Sequence, residues 1–261
     1  MSDFSLVSVA PVYNRVPKVT VDFWLIKLMA VTVGETAADF LSQNLGLGLS
    51  ATSWIMSGLL IAALILQFSQ KKYVPSIYWL AVVLISVVGT LVTDNLVDNM
   101  GVSLQTTTIV FSIALAATFA VWYAFEKTLS IHTIFTGRRE GFYWLAILFT
   151  FALGTAAGDL AAEGLGLGYL TAGLMYGAVI FIITAAYYIL GMNGILAFWL
   201  AYILTRPMGA SFGDLLSQSK ADGGLGFGTV ITSALFLTAI VVIISYMTVT
   251  HQGMEKREER T

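Results

Sequence analysis

Four aspartates recur in the chain at a fixed distance from a tryptophan. Each lies fifteen residues after it, and the pairs are Trp24 with Asp39, Trp79 with Asp94, Trp144 with Asp159, and Trp199 with Asp214. A glycine follows each tryptophan by ten residues, at Gly34, Gly89, Gly154 and Gly209. Residues four apart share one face of a helix, so the positions four before and four after each aspartate extend it into a stripe.

The four stripes are rich in oxygen ligands. They read Glu35, Asp39 and Gln43; Thr90, Asp94 and Asp98; Thr155, Asp159 and Glu163; and Ala210, Asp214 and Gln218. Such oxygens suit Ca²⁺, Mg²⁺ or Mn²⁺. The chain has no cysteine, and its two histidines, His132 and His251, lie outside the stripes, so zinc, copper and haem are not expected. The first and fourth stripes end in an amide, whereas the second and third end in an acid. This difference would tune the charge at the entrance to a site.

The sequence around the stripes is that of an integral membrane protein, because 57% of the residues are hydrophobic and only 11% are charged. A spanning helix needs about 20 mostly apolar residues. Eight segments qualify, at about 23–44, 51–69, 76–98, 104–125, 142–163, 170–190, 193–217 and 227–249. An ionisable group at mid-membrane costs about 2.5–3.5 kcal/mol on insertion scales. The seven acids of the stripes should therefore face a protein or water-filled interior.

The segment between the fourth and fifth helices divides the chain into two halves. We expect an N-terminal cytoplasmic segment (1–22), a first half (23–125), a cytoplasmic linker (126–141), a second half (142–249) and a charged cytoplasmic tail (250–261). With both termini cytoplasmic, Lys220 is the one basic residue in an outer loop, which predicts an N-in, C-in orientation. The tryptophans should then form an interfacial belt on the cytoplasmic side, and Lys27 should snorkel towards it.

The repeat also predicts how the helices are arranged. Each unit has two crossings, so successive units enter the membrane in the same direction and their aspartates lie at one depth. At 1.5 Å per residue, that depth is about 22 Å from the tryptophans, in the outer half of the bilayer. The expected fold is all-α, with eight transmembrane helices forming four parallel, pseudo-symmetric two-helix repeats. The units could surround one axis or form two separate sites, one in each half.

Arg206 is the deepest basic residue expected in the membrane, and it is followed by Pro207, which favours a bend in the seventh helix. We consider two roles for it. It could be a structural counter-charge to the acids, or it could be a tethered cation that leaves the acidic pathway when substrate binds. The four repeated glycines should allow close helix packing. The Gly-x-Gly turns after three of the stripes fit helix connections, or could supply carbonyls at the mouth of a site.

The repeated G-x-x-x-x-D segments, GETAAD, GTLVTD, GTAAGD and GASFGD, resemble a family of bacterial proteins described as uncharacterised and membrane-anchored. The resemblance runs from about Phe23 to Met247 and implies the repeat architecture and a location in the bacterial inner membrane. The chain is also similar to small manganese and calcium exporters, whose paired repeats carry an acid, a Gly-Asp and a polar residue within the membrane. It differs from them in having four repeats and no basic residue directly after the aspartate.

The leading hypothesis is a transporter of a divalent cation, Mn²⁺ first, with proton exchange as a possible coupling because clustered buried carboxylates can exchange protons. Asp39, Asp94, Asp159 and Asp214 would be the metal ligands. Glu35, Asp98 and Glu163 would add charge, Thr90, Thr155, Gln43 and Gln218 would assist, and Arg206 would gate.

Three alternatives remain open. A channel could use the four aspartates as an acidic selectivity ring. An intramembrane aspartyl protease could use Gly158-Asp159 and Gly213-Asp214, although the chain lacks the Gly-x-Gly-Asp of such enzymes. The stripes could also simply join helices by hydrogen bonds. We expect no enzymatic activity, no covalent cofactor and no nucleic-acid partner. The expected partners are the lipid bilayer, metal ions or protons, and further copies of the chain.

Overall fold

The computed structural model describes residues 13–258 of the chain, and side chains as far as residue 249. Its eight α-helices are α1 (Val21–Asp39), α2 (Leu49–Ser69), α3 (Pro75–Asp94), α4 (Leu104–Glu126), α5 (Gly137–Asp159), α6 (Tyr169–Leu190), α7 (Gly194–Ser217) and α8 (Gly228–Glu258). Within the described range there is no β-strand. Three helices continue as short π-helical segments, at Phe40–Asn44 after α1, Asn95–Asn99 after α3 and Leu160–Gly164 after α5.

Local sequence explains where several helices begin. The side chains of Thr20, Ser103 and Thr136 each accept a hydrogen bond from a backbone N–H in the first turn of α1, α4 and α5. These caps satisfy donors that have no partner within a helix. Pro75 occupies the first turn of α3, where a missing N–H costs nothing. Helices α1, α3 and α5 thus have defined starts at the end that carries the tryptophans, and α4 has one at the opposite end.

The odd-numbered helices form a closed inner ring. Helix α1 packs against α3, α3 against α5, α5 against α7, and α7 against α1. The even-numbered helices lie outside this ring, with α2 against α3, α4 against α5, α6 against α7 and α8 against α1. Helices α3, α5 and α7 are mostly buried, whereas the outer helices are mostly exposed. The four repeats therefore surround one axis.

Seven of the described helices, α2 to α8, are long and apolar enough to cross a membrane. Helix α1 falls outside that set because it carries Asp22, Lys27, Glu35 and Asp39 within nineteen residues. It nevertheless occupies a full place in the inner ring, between α3 and α7. The composition therefore supports seven of the eight expected spans.

The repeated glycines mark where neighbouring ring helices approach each other. Each faces the residue seven positions after the tryptophan of the next repeat, and the pairs are Gly34 with Ser86, Gly89 with Phe151, Gly154 with Arg206, and Gly209 with Val31. A Cβ atom on Gly34 would lie 2.9 Å from the backbone carbonyl carbon of Ser86. Since the fourth glycine meets the first repeat, the same contact runs around the whole ring.

The repeated tryptophans are part of the core. Trp79, Trp144 and Trp199 are at most 4% exposed, so the expectation of an interfacial belt is wrong for these three. The aromatic residue before each tryptophan packs against the tryptophan of the next repeat. Ring centroids are 5.6 Å apart for Phe23 with Trp79, 5.4 Å for Tyr78 with Trp144, 6.2 Å for Tyr143 with Trp199 and 5.8 Å for Phe198 with Trp24. The aromatic side chains fill the space between the inner helices at this end. Their burial there stabilises the protein more than exposure at a membrane interface would.

Candidate functional site

The inner ring has two ends, which we name by their repeated residues. The Asp end carries Asp39, Asp94, Asp159 and Asp214, and the Trp end carries the four repeated tryptophans. In α1, α3 and α5 the aspartate is the last α-helical residue, and the π-helical segment begins directly after it. Asp214 instead lies inside α7, which ends at Ser217. π-Helical turns occur frequently at functional sites, and nothing in the repeat spacing indicated these.

The carboxylates at the Asp end form one electrostatic cluster. Glu35 lies within electrostatic range of all four repeated aspartates. Asp39 accepts hydrogen bonds of 3.1 Å from the amide nitrogens of both Gln43 and Gln218. Among the described residues, the carboxylates of Asp94, Asp159 and Asp214 have no hydrogen-bond or salt-bridge partner. Three of the four aspartates are therefore available to a ligand.

The last residues of the four stripes fall into two groups, bonded amides and exposed acids. The amides Gln43 and Gln218 both bind Asp39, which ties the first repeat to the fourth. The acids Asp98 and Glu163 are exposed, and Glu163 accepts a 3.0 Å hydrogen bond from the Tyr169 hydroxyl. The amide-ended side of the ring is thus internally bonded, whereas the acid-ended side presents charge to its surroundings.

A polar layer closes the ring on the Trp-end side of the aspartates. Arg206 is fully buried, and its Nη1 atom donates a 2.9 Å hydrogen bond to Glu35 Oε2. Its Nη2 atom donates to the Thr155 hydroxyl at 2.7 Å and also to the Thr90 hydroxyl. Glu35, Thr90, Thr155 and Arg206 come from α1, α3, α5 and α7, so every ring helix contributes. The equivalent position in the fourth stripe, Ala210, adds no polar group.

A second basic side chain lies buried beside Arg206. Lys27 is fully buried, so the expectation that it snorkels is wrong. Its Nζ donates to the Tyr202 carbonyl oxygen at 3.0 Å and to the Thr205 hydroxyl at 2.7 Å. It also lies 4.1 Å from the centroid of the Tyr202 ring and 5.0 Å from that of Phe151, whose ring Arg206 contacts as well. The sequence did contain a sign that Lys27 is unusual. At the same position the other three repeats carry the uncharged residues Val82, Ile147 and Tyr202.

The structure does not gather the aspartates into a metal centre. Among the described residues, no three histidine, aspartate or glutamate side chains lie close enough together to hold a metal ion. Asp39 is bonded to amides and Glu35 to Arg206, so neither has all its oxygens free. The role of the four aspartates as metal ligands stays a prediction.

The Gly-x-Gly turns connect helices. Gly46 and Gly48 adopt φ values of 70° and 75°, a left-handed conformation that is costly for other residues. The Gly48 N–H donates to the carbonyl of Ser42 in the preceding π-helical segment. The turn is therefore required to reverse the chain between α1 and α2, and Gly166 and Gly168 repeat it after α5.

A model of the repeat of unknown function DUF347 matches the chain four times, at residues 23–73, 77–128, 142–192 and 197–252. The chain belongs to the DUF347 repeat family. Each match spans one inner helix and the outer helix that follows it, which confirms the fourfold repeat predicted from the spacing of tryptophans and aspartates. Searches of curated proteins and of solved structures found no match for this DUF347 protein.

Proposed function

We propose that this DUF347 protein is a membrane transporter of a divalent cation, with Mn²⁺ as the first ion to test. The observation that carries the proposal is the set of unpartnered carboxylates, Asp94, Asp159 and Asp214, next to the buried Arg206 layer. The proposal includes a bacterial inner-membrane location with both termini cytoplasmic. It takes α1 as the eighth span, because α1 fills one of four equivalent places in the ring. The Asp end then faces outwards.

Charge balance favours a bound cation over the alternative that the carboxylates only join helices by hydrogen bonds. A carboxylate that joins helices accepts a hydrogen bond from a neighbouring helix, as Asp39 does from Gln218. Asp94, Asp159 and Asp214 make no such bond, although carboxylates at membrane depth are costly without a partner. Arg206 already pairs with Glu35. The remaining negative charge therefore calls for cations, protons or both.

Arg206 fits the role of a tethered cation that substrate displaces. It has one charged partner, Glu35, and its other two acceptors are neutral threonine hydroxyls. A divalent cation arriving at the Asp end would compete with the guanidinium for Glu35. Mg²⁺ in proteins usually binds through one or two carboxylates and keeps several waters. Entry of a partly hydrated ion therefore needs no preformed group of three acids.

A cation channel with an acidic ring is the second candidate, favoured by the fourfold arrangement of aspartates around one axis. The side chains of Arg206 and Lys27 and the aromatic rings of the Trp end fill the ring interior below those aspartates. A conformational change would be needed to open this path, which favours a transporter. Slow, saturable flux would support the transporter, whereas a fast, uncoupled current would support the channel.

The deciding experiment measures ion flux in proteoliposomes over a panel of Mn²⁺, Mg²⁺, Ca²⁺, Na⁺ and pH. We expect saturable Mn²⁺ flux that Asp94→Asn and Asp159→Asn each abolish, with both variants folded by size-exclusion chromatography. Asp22→Asn is the matched control, because that acid is exposed in the first turn of α1, outside the stripes and at the opposite end of the ring. It should retain most of the flux. Unchanged flux in both Asp94→Asn and Asp159→Asn would overturn the proposal.

A further inference from the structure

Lys27 is a buried amine without an acidic partner. The charged and titratable groups facing it from α7 are Arg206 and Tyr202, and α5 presents the apolar ring of Phe151. On its own helix, Glu35 lies two turns away and binds Arg206. Towards the Trp end, the hydroxyls of Tyr78 on α3 and Tyr143 on α5 bond to each other. Among the described residues, no carboxylate lies within salt-bridge distance of Lys27 Nζ.

The contacts of Lys27 fit both its neutral and its protonated form. A neutral amine has two N–H donors, whereas a protonated lysine has three. Lys27 Nζ makes two hydrogen bonds, to the carbonyl of Tyr202 and the hydroxyl of Thr205. The third N–H of the protonated form has no oxygen acceptor among the described residues, but the ammonium lies 4.1 Å from the centroid of the Tyr202 ring, which is a cation–π contact. An unpaired buried charge is costly, and the adjacent guanidinium of Arg206 adds repulsion.

A cavity at the Trp end lies beside Lys27, although Lys27 itself does not line it. Its volume is about 850 Å³, and it lies between α1, α6, α7 and the linker before α5. Thr205, the hydroxyl that accepts from Lys27, forms part of its wall. The linker contributes Ser130 and the exposed His132, and Asn193 adds a polar group at the start of α7. No α8 residue with a described side chain lines it, although α8 packs against α1.

We propose that Lys27 is the proton-carrying group of this protein, and that it exchanges its proton with water in the Trp-end cavity through the Thr205 hydroxyl. In the structure the Thr205 hydroxyl donates to the Tyr202 carbonyl at 2.8 Å. On release, the hydroxyl turns away from that carbonyl, accepts the Lys27 proton at Oγ1 and passes its own proton to a water molecule. The products are the neutral amine and a hydronium ion. Uptake is the reverse of this step.

This role rests on the proposed cation transport and gives it a coupling mechanism. When a cation binds at the Asp end and displaces Arg206 from Glu35, the positive charge facing Lys27 loses its compensating carboxylate. The stronger repulsion favours release of the Lys27 proton. Conversely, a protonated Lys27 opposes entry of the cation. Cation and proton therefore exclude each other, which makes the transport an exchange of cation for protons.

The functional test separates cation exchange from proton coupling in proteoliposomes. Wild-type protein should exchange labelled Mn²⁺ at equal pH and also accumulate Mn²⁺ when a pH gradient is imposed. Lys27→Met should keep the exchange and lose the accumulation driven by the pH gradient. Thr205→Ala should slow that accumulation, and Thr205→Ser, which keeps the hydroxyl, should restore it. Accumulation by Lys27→Met at the wild-type level would overturn the role of Lys27.

A second measurement does not depend on flux. Lysine-selective NMR of the detergent-purified protein should show one resonance that is missing from Lys27→Met and that titrates at lower pH than the resonances of the exposed lysines. A Lys27 resonance that titrates together with those of the exposed lysines would overturn the proposal, whatever the flux results. Absence of any ion flux by wild-type protein, with the titrating resonance present, would instead refute the proposed cation transport and leave Lys27 as a proton carrier. Failure of the Lys27 role and failure of cation transport therefore give different results.

Discussion

The two ends of the inner ring are built from the same four helices but have opposite chemistry. At the Trp end, aromatic pairs repeat from one helix to the next, and Tyr78 and Tyr143 share a buried hydrogen bond. At the Asp end, three helices pass into π-helical segments, and three aspartates have no partner among the described residues. The comparison indicates that packing and hydrogen bonds hold the bundle together at the Trp end, whereas the Asp end leaves three carboxylates without a partner among the described residues.

The segment before α1 strengthens the Trp end. The Asn14 side chain donates to the Ile131 carbonyl and accepts from the Ile134 N–H, each at 3.0 Å. Arg15 pairs with the fully buried Glu140 at 2.7 Å, and Gln67 donates to the same carboxylate at 2.9 Å. These contacts join the start of the described chain to α2, α5 and the linker. No comparable set of ion pairs ties the loops of the Asp end within the described residues.

The largest effect on stability should come from the layer between the two ends. Arg206→Met leaves Glu35 buried without its counter-charge, which should lower the free energy of unfolding by about 3–5 kcal/mol. The double variant Glu35→Gln, Arg206→Met removes both charges and should lose clearly less. Thermal or denaturant unfolding in detergent measures both. A single variant as stable as the wild type would show that Arg206 does not stabilise the ring.

A somewhat smaller loss is expected at the Trp end. Arg15→Met removes the charged partner of buried Glu140 while leaving the Asp end untouched, so the free energy of unfolding should fall by about 2–3 kcal/mol, below the full cost of a broken buried pair because Arg15 is part-exposed. Arg138→Met is the control, because that arginine is largely exposed, and its effect should be too small to measure. Equal losses in the two variants would contradict the special role of the buried pair.

Helix approach around the ring can be tested with two glycines of one helix. A Cβ on Gly154 would lie 2.1 Å from Arg206 Cγ, whereas a Cβ on Gly158 would lie 3.5 Å from the nearest Pro207 atoms. Gly154→Ala should therefore destabilise the protein by about 1–3 kcal/mol through overpacking. Gly158→Ala should change stability by about 0.5 kcal/mol or less. If Gly158→Ala were more destabilising than Gly154→Ala, helices α5 and α7 would not approach each other at Gly154.

The smallest expected difference separates a buried tyrosine from an exposed contact. Tyr143→Phe removes the hydrogen bond to Tyr78 at the Trp end, and should cost about 0.5–1.5 kcal/mol. Tyr169→Phe removes the bond to the exposed Glu163 at the Asp end, and should leave stability unchanged. Thermal unfolding of the two purified variants checks this. A larger loss for Tyr169→Phe would reverse the proposed division between the two ends.

Residue spacing was sufficient to predict the repeats and the alignment of the four aspartates, because a fixed period along parallel units places equivalent residues at one level. It also indicated that Arg206 would meet an acid. It did not predict the π-helical segments, since these depend on how each helix end packs. It misplaced Trp79, because an amphipathic ring suits both an interface and a buried site. It misplaced Lys27, whose long side chain can snorkel or reach across the ring.

The central claim is that the unpartnered carboxylates of the Asp end bind a divalent cation, and equilibrium binding of Mn²⁺ to the purified protein tests it most directly. Wild-type protein should bind Mn²⁺ saturably, and binding should weaken as the pH falls because protons compete for the carboxylates. The double variant Asp94→Asn, Asp159→Asn should lose this binding, while Asp22→Asn should retain it. Equal Mn²⁺ binding by wild type and the double variant would contradict the account.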